Sequence, residues 1–186
     1  MGHEHDDPAV ERRLLERASG GDRAAFDGIV LRHRLAIYRI ARRLLRSHEE
    51  ADEAAQEAFV RAWRAIGEFR GESRVGTWLT RIAINVARTI AAARSDTAPL
   101  DRIDAEAGEP PAAQAGLLRR EEATRVRRAV AELPPRQREV VVLKVFSEMT
   151  YEEVAASMGL TVGAVKAHLH QAIANLRRRM SGAAVR

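Results

Sequence analysis

The sequence predicts an all-α protein made of two small helical domains joined by a flexible acidic linker, with a helix-turn-helix in the C-terminal domain. Apolar residues recur every three or four positions in both halves, and the alternation typical of strands is absent. Capping-box spacing marks helix starts at residues 47–50 and 150–153. Three prolines and two glycines fall within residues 95–116 and predict a linker there.

Composition narrows the class of protein. Apolar residues make up 46% of the 186 positions, enough for a core, and there is no cysteine. The lack of thiols excludes disulfides, thiolate zinc sites and cysteine nucleophiles. No apolar run approaches the roughly 20 residues that span a bilayer, and the acidic N-terminus lacks the apolar segment of a signal peptide. We therefore expect a cytoplasmic protein with no membrane insertion.

Charge follows the predicted domains. We divide the chain into an N-terminal tail over 1–21, a helical domain over 22–94, the linker over 95–116, a helix-turn-helix domain over 117–180 and a C-terminal tail over 181–186. The linker carries five acidic residues and one basic residue, whereas both domains carry a net positive charge. Basic domains on a chain of net charge +5 hint at a polyanionic partner.

The N-terminal domain should contain helices over about 24–46, 47–66 and 77–93. On the second of these helices, one face should carry Asp52, Gln56, Phe59 and Trp63, which follow each other at helical spacing. Carboxylates repel phosphate, so this face is predicted to meet a protein. The alternative is that Phe59 and Trp63 simply belong to the core.

The third helix has two opposite stripes. Its apolar stripe runs from Leu79 to Ile90, and the opposite stripe carries Trp78, Arg81, Asn85 and Arg88. Aromatic rings stack on unpaired bases, arginine binds phosphate and asparagine can read a base edge. With Arg70 and Arg74 in the preceding loop, the row predicts a surface for single-stranded nucleic acid. The alternative is a solvated polar face with a half-buried tryptophan.

The C-terminal domain should end in a helix-turn-helix. A short helix after Thr150, a turn at Gly159 and a long helix capped by Thr161 have the required order. Val165, Leu169, Ile173 and Leu176 should face inward. The candidate DNA-binding residues are Thr161, Gly163, Ala164, Lys166, Ala167, His168 and Gln171, with Lys166 reaching a phosphate and His168 or Gln171 a base edge. The alternative is a helical bundle with a solvated basic face.

Three stretches in this order resemble the RNA polymerase sigma factors of the extracytoplasmic-function (ECF) group. They are ADEAAQEAFVRAWRAI (51–66), FRGESRVGTWLTRIAINVA (69–87) and LPPRQREVVVLKVFSEMTYEEVAASMGLTVGAVKAHLHQAIANLRRRM (133–180). The resemblance covers about 22–94 and 117–179, which is most of the chain.

The resemblance implies partners for each surface. The Asp52–Trp63 face would bind the β′ clamp helices of core RNA polymerase, and the 78–88 row would open the −10 promoter element and hold its non-template bases. The helix-turn-helix would read the −35 element as duplex, and the linker would pass near the RNA exit path. The resemblance also implies an anti-sigma factor, no cofactor and no chemistry by the chain itself.

Some positions depart from the family pattern. Thr89 stands where the family often has aspartate, and Ala167-His168 stand where it often has Ser-Arg. Gln171 and Ile173 replace frequent arginines. Fewer phosphate contacts predict weaker DNA binding.

Two other classes compete with this interpretation. A LuxR-like regulator would share the VKAHLHQAIANL segment, act on duplex DNA without polymerase, and require an upstream domain with a parallel sheet. An enzyme is disfavoured because no phosphate loop, HExxH or nucleophile elbow is present. A metal site is disfavoured as well, because His168 and His170 diverge by about 200° on a helix.

Overall fold

The computed structural model describes residues 8–94 and 116–182, and within these ranges it is helical, without β-strands. The helices are α1 (Pro8–Ser19), α2 (Arg23–Leu44), α3 (His48–Ala65), α4 (Val75–Arg94), α5 (Gly116–Ala131), α6 (Pro135–Val141), α7 (Tyr151–Met158) and α8 (Val162–Gly182). A 3₁₀ turn (Ile66–Glu68) follows α3, and a π-helical turn (Val142–Phe146) extends α6. The all-α prediction is confirmed; residues 95–115 of the predicted linker lie outside the described ranges.

Helix α1 occupies most of the segment that the sequence analysis assigned to an N-terminal tail. Its Glu11 carboxylate lies 2.7 Å from Nε2 of His33, and the Ser19 hydroxyl donates to the carbonyl of Ile66 at 3.2 Å. Leu14 packs over Gly28, where an added Cβ would come within 3.2 Å of it. The tail prediction was therefore wrong for Pro8–Ser19, which is docked on α2.

Helices α2, α3 and α4 form the core of the N-terminal half. Asp22 caps α2 by accepting from the backbone N–H of Ala25 at 3.1 Å. That hydrogen bond, assisted by the Arg17 side chain, lowers the pKa of Asp22. At α3, the Ser47 hydroxyl and the Glu50 carboxylate complete a reciprocal capping box, as predicted.

In the C-terminal half, too, the helices begin and end at residues that the local sequence marks. Pro135 opens α6 at its first turn, where a missing N–H costs nothing. Thr150 and Glu153 form the second predicted capping box, and Gly159 ends α7 in the left-handed conformation at φ +64°. The hydroxyl of Thr161 then caps α8 by accepting from the N–H of Ala164 at 3.2 Å. The predicted helix-turn-helix is confirmed.

The inward face of α8 differs from the prediction at one position. Val165 and Ala172 are fully buried, whereas Ile173 is 40% exposed. Leu169 and Leu176 are partly buried beside them. The inward-facing positions of α8 are therefore 165, 169, 172 and 176, at spacings of four, three and four residues. Ile173 lies one residue past this stripe.

The two halves share one hydrophobic cluster. Buried residues of α2, α3 and α4 are continuous with Leu143, Val154 and Val165 of the C-terminal half. A second, smaller cluster lies within the C-terminal half and contains Val130, Leu133, Val141 and Ala172. Helix α7 lies against α4, so the helix-turn-helix packs directly on the helix that bears the Trp78 row.

Candidate nucleic-acid interface

The start of α3 presents the polar part of the predicted protein-binding face. Asp52 and Gln56 are both exposed, and the Gln56 amide donates to the Asp52 carboxylate at 3.0 Å. This hydrogen bond spans one helical turn and fixes the two side chains relative to each other.

The aromatic part of that face is not exposed as predicted. Phe59 is only 9% exposed and belongs to the core, and Trp63 is half-buried with its ring centroid 5.1 Å from that of Phe26. The four residues lie on one face of α3, but α2 packs against the C-terminal part of that face, where Phe59 and Trp63 lie. Phe59 and Trp63 therefore support the fold, and the exposed pair of this face is Asp52 and Gln56.

A groove between α3 and α4 extends from Gln56 and was not predicted. It encloses about 400 Å³, and Val60 on its α3 side is 42% exposed. Glu53 and Glu57 lie one turn apart at its edge, and Glu57 pairs with Arg61 at 2.7 Å. The groove is lined by Glu53, Gln56, Glu57, Val60, Arg61, Val86, Thr89 and Ile90. The sequence feature that could have indicated this groove is the pair of carboxylates near Gln56, Glu53 and Glu57.

The Trp78 row lies on α4 with mixed exposure. Arg81 and Asn85 are exposed, whereas Trp78 is half-buried, with its ring centroid 4.8 Å from that of Phe69. Arg70 in the preceding loop is also exposed. The Arg81 guanidinium and the Asn85 amide are therefore accessible to a ligand, whereas the Trp78 indole packs against the Phe69 ring on one side.

Two arginines of the predicted DNA-binding set contact the C-terminal half. The Arg88 guanidinium donates twice to the carboxylate of Glu139, from Nε and from Nη2, each at 2.6 Å. Arg88 also donates to the Asn85 side chain at 3.3 Å. Arg74 is exposed and lies 3.6 Å from the Glu153 carboxylate. Pattern analysis of a single helix cannot detect such partners, which are 51 and 79 residues away.

Helix α8 presents most of its predicted DNA-binding residues to solvent. Ala164 and His168 are half-buried, and the others are exposed: Thr161, Gly163, Lys166, Ala167 and Gln171. The Lys166 ammonium lies 5.4 Å from the centroid of the Tyr151 ring. The Gln171 side-chain oxygen is 3.4 Å from the Gln137 amide nitrogen. The small side chains of this face allow a helix to approach a major groove closely, and Lys166 is the cation among the seven residues.

Arg138 joins the halves at the end of α2. Its guanidinium donates to the carbonyl of Leu44 at 3.3 Å and to the carbonyl of Leu133 at 3.2 Å. Burial lowers the pKa of Arg138, and repulsion from Arg46 acts in the same direction. The side chain therefore acts as a polar bridge that satisfies carbonyls at two helix ends.

Two family models match the chain. Sigma-70 region 2 matches residues 29–96, and Sigma-70, region 4 matches residues 123–176. The RNA polymerase sigma-H factor of Pseudomonas aeruginosa is 34% identical over 172 residues, covering 87% of this chain and 89% of that protein. The ECF RNA polymerase sigma-E factor of Escherichia coli K12 is 34% identical over 173 residues, covering 88% and 90%.

Solved structures agree on the fold. CnrH, in complex with the cytosolic domain of CnrY, superposes with a TM-score of 0.71 at 27% identity, over 93% of this chain and 98% of that one. The sigma factor RpoE of Bartonella quintana, in complex with the anti-sigma factor NepR, gives 0.67 at 23% identity, over 84% and 96%. None of the described helices has the length and apolar character needed to cross a bilayer. With both sigma regions present in order and relatives of matching length, the chain belongs to the ECF sigma factors of RNA polymerase.

Proposed function

We propose that three surfaces of this sigma factor divide the work of promoter recognition. The start of α3 and its groove bind core RNA polymerase, the open part of the α4 row holds the melted −10 strand, and α8 reads the −35 duplex. The observation that carries the proposal is that three exposed sets of residues differ in chemistry: an acidic-rimmed apolar groove beside α3, an arginine and asparagine row on α4, and a small polar face on α8.

The core-binding surface, in this proposal, is Asp52, Gln56 and the groove rather than the full Asp52–Trp63 face. Carboxylates at the rim and exposed Val60 inside suit a basic amphipathic helix, which would place an apolar side chain in the groove. The β′ clamp helices of core polymerase are the partner we assign to it. Phe59 and Trp63 act indirectly, by holding α3 on α2.

The −10 surface comprises Arg70, Arg74, Trp78, Arg81, Asn85 and Arg88. Exposed Arg81 supplies a phosphate contact and Asn85 a base-edge contact. The uncovered part of the half-buried Trp78 ring supplies a stacking surface for a flipped or unstacked base. Stacking does not require a fully exposed ring, so the partial burial of Trp78 is compatible with this role.

The −35 surface comprises Thr161, Gly163, Ala164, Lys166, Ala167, His168 and Gln171. Small residues at the start of α8 allow close approach to a major groove, while Lys166 supplies the phosphate contact. Few cations lie on this face, so we expect core polymerase to contribute much of the promoter affinity.

A regulatory protein partner is also part of the proposal. CnrH, which shares this fold at 27% identity, was solved with the cytosolic domain of CnrY bound. We infer that an anti-sigma factor holds this chain inactive by covering one or more of the three surfaces. Since the chain has no cysteine, any redox signal would have to be sensed by that partner.

The decisive experiment is run-off transcription with purified core polymerase, followed by mapping of the start sites. We expect specific starts that depend on adding this chain. A chain that binds promoter duplex alone and is indifferent to core polymerase would instead support the LuxR-like alternative.

Two variants separate the α3 and α4 surfaces. Gln56→Ala should weaken competition for core polymerase, with exposed Glu16→Ala on α1 as the control.

Asn85→Ala should impair promoter opening while sparing core binding, with exposed Arg34→Ala on α2 as the control. Equal loss of core binding by Asn85→Ala would contradict the division between the surfaces.

A further inference from the structure

The C-terminal half presents two carboxylates to the −10 surface. Glu139 of α6 binds Arg88, and Glu153 of α7 lies beside Arg74. Both arginines belong to the set that the proposed function assigns to single-stranded DNA. The two contacts join parts of the chain that the sequence analysis treated as separate domains.

The Arg88–Glu139 contact uses one full bidentate edge of the guanidinium, formed by Nε and Nη2. Two parallel N–H donors meet two carboxylate oxygens at 2.6 Å, which is the arrangement that a phosphate group also takes on arginine. The Glu139 side chain is 5% exposed, and Nη1 of Arg136 also lies 3.6 Å from its Oε2. In this state, the Nε/Nη2 edge of Arg88 is occupied by Glu139, and Nη1 donates to Asn85, so a nucleotide phosphate has to displace Glu139 to take that edge.

Neighbouring contacts hold the halves in the same arrangement. Ser157 of α7 donates to the carbonyl of Thr77 at 3.4 Å, and Arg138 donates to the carbonyl of Leu44 at 3.3 Å. Arg81 and Asn85, by contrast, remain exposed between these contacts. Two of the six residues of the −10 surface, Arg74 and Arg88, are therefore paired with carboxylates of the chain's own C-terminal half.

We propose that Glu139 and Glu153 act as internal phosphate mimics, so that closure of the two halves competes with single-stranded DNA for Arg88 and Arg74. The inference rests on the proposed function of α4. DNA can bind fully only after the halves separate, so the apparent affinity of the free chain is reduced by the fraction that is open. Binding to core polymerase, which needs the two halves on separate promoter elements, would remove this competition.

The test uses the full chain and a double substitution, Glu139→Gln with Glu153→Gln. Glutamine keeps the size of both side chains, and at position 153 it preserves the capping box of α7. The matched control is Glu132→Gln with Glu152→Gln. It removes the same charge from exposed positions of the C-terminal half, and Glu132 pairs with Arg179 within that half.

Two measurements report different parts of the proposal. Fluorescence anisotropy with a labelled single-stranded DNA of about 20 mixed-sequence nucleotides reports occupancy of the −10 surface. Dipolar spectroscopy between spin labels at Ala36→Cys and Ala174→Cys reports separation of the halves. Both positions are exposed, and the parent chain has no cysteine to interfere.

We expect the double variant to bind this DNA roughly tenfold more tightly than the charge-matched control, with a longer and broader label distance. Equal DNA affinities of the two double variants would overturn the proposal, and so would an unchanged label distance. Circular dichroism checks the fold. If the double variant misfolds, Glu153→Gln alone should still bind DNA about twofold more tightly, because its ion pair is exposed.

Failure of the proposed function gives a different pattern. Adding Arg81→Ala and Asn85→Ala to the double variant should abolish most of its DNA binding. If binding persists, the −10 assignment of α4 is wrong, while the label distance still reports whether the carboxylates hold the halves together.

Discussion

Glu148 is the one described residue other than glycine with a positive φ, at 53°. It lies in the loop between the π-helical turn and α7, and its side chain is exposed. A residue with a Cβ loses about 1–2 kcal/mol in the left-handed region. The loop therefore stores strain at a position next to the helix-turn-helix.

Replacing this residue should stabilise the protein. Glu148→Gly removes the Cβ clash but makes the unfolded chain more flexible, so we expect a net gain of about 0.5–1 kcal/mol in the free energy of unfolding. Urea denaturation measures it. Glu148→Ala is the control, because it removes the carboxylate and keeps the Cβ. Equal stability of the two variants would show that the backbone at 148 is not strained.

Asp22 should link stability to pH. The N–H of Ala25 and the Arg17 side chain hold the pKa of Asp22 below its ordinary value of 3.8. The folded state therefore favours the ionised carboxylate. Its stabilising contribution is present above the unfolded pKa and is lost as pH falls through the folded pKa.

The prediction is that Asp22→Asn flattens the acid limb of the stability curve. Asparagine still caps α2 but cannot take up the proton. Urea denaturation from about pH 6 down to about pH 2 should show a smaller loss for this variant than for the parent. Asp27→Asn, at an exposed position of the same helix, is the comparison. If the free energy of unfolding falls equally with pH in both variants, Asp22 does not cause the acid sensitivity.

At the scale of helices, capping boxes set where α3 and α7 begin. Ser47→Ala deletes the acceptor for the N–H of Glu50, which lies 3.2 Å away. We expect a loss of about 1 kcal/mol in the free energy of unfolding, and nearly full retention in Ser47→Asn, because asparagine caps equally well. Chemical denaturation of the two variants measures the difference. A similar loss in both would mean that the hydroxyl contributes through something other than capping.

Capping residues and helix breakers explain which features of the fold the sequence could predict. The boxes at Ser47 and Thr150 and the breaks at Pro134 and Gly159 act within a few residues, so helix starts and the helix-turn-helix were predicted correctly. Helix α1 was missed because its twelve-residue segment, PAVERRLLERAS, carries five charged residues and only a short apolar stripe. Its stability comes from docking on α2, which a local pattern does not contain.

Errors in the candidate site have the same origin. A helical wheel gives the direction of Phe59 around α3 but not what lies in that direction, and α2 lies there. Ile173 is one residue beyond the true stripe, and the exposed fraction rises from 0% at Ala172 to 40% at Ile173. The partner of Arg88 is 51 residues away, so neither periodicity nor charge could identify it.

At the scale of the molecule, the halves are coupled by packing as well as by ion pairs. Leu143 and Val154 are fully buried in the cluster that also contains Ile29 and Leu79 of the N-terminal half. A cluster shared in this way should make the halves unfold together. Separation on polymerase would then expose apolar surface, which the binding energy of core and promoter has to offset.

Tryptophan fluorescence can test this coupling, because Trp63 and Trp78 are the only tryptophans and both lie in the N-terminal half. Leu143→Ala leaves a cavity in the shared cluster and should cost about 2–5 kcal/mol. We expect the fluorescence transition and the far-UV circular dichroism transition to shift together. Leu133→Ala is the matched control, since Leu133 is equally buried but lies in the smaller C-terminal cluster. It should shift the fluorescence transition less. If Leu143→Ala lowers helicity while the fluorescence midpoint stays in place, the halves unfold independently, and the shared cluster contributes little to their closure.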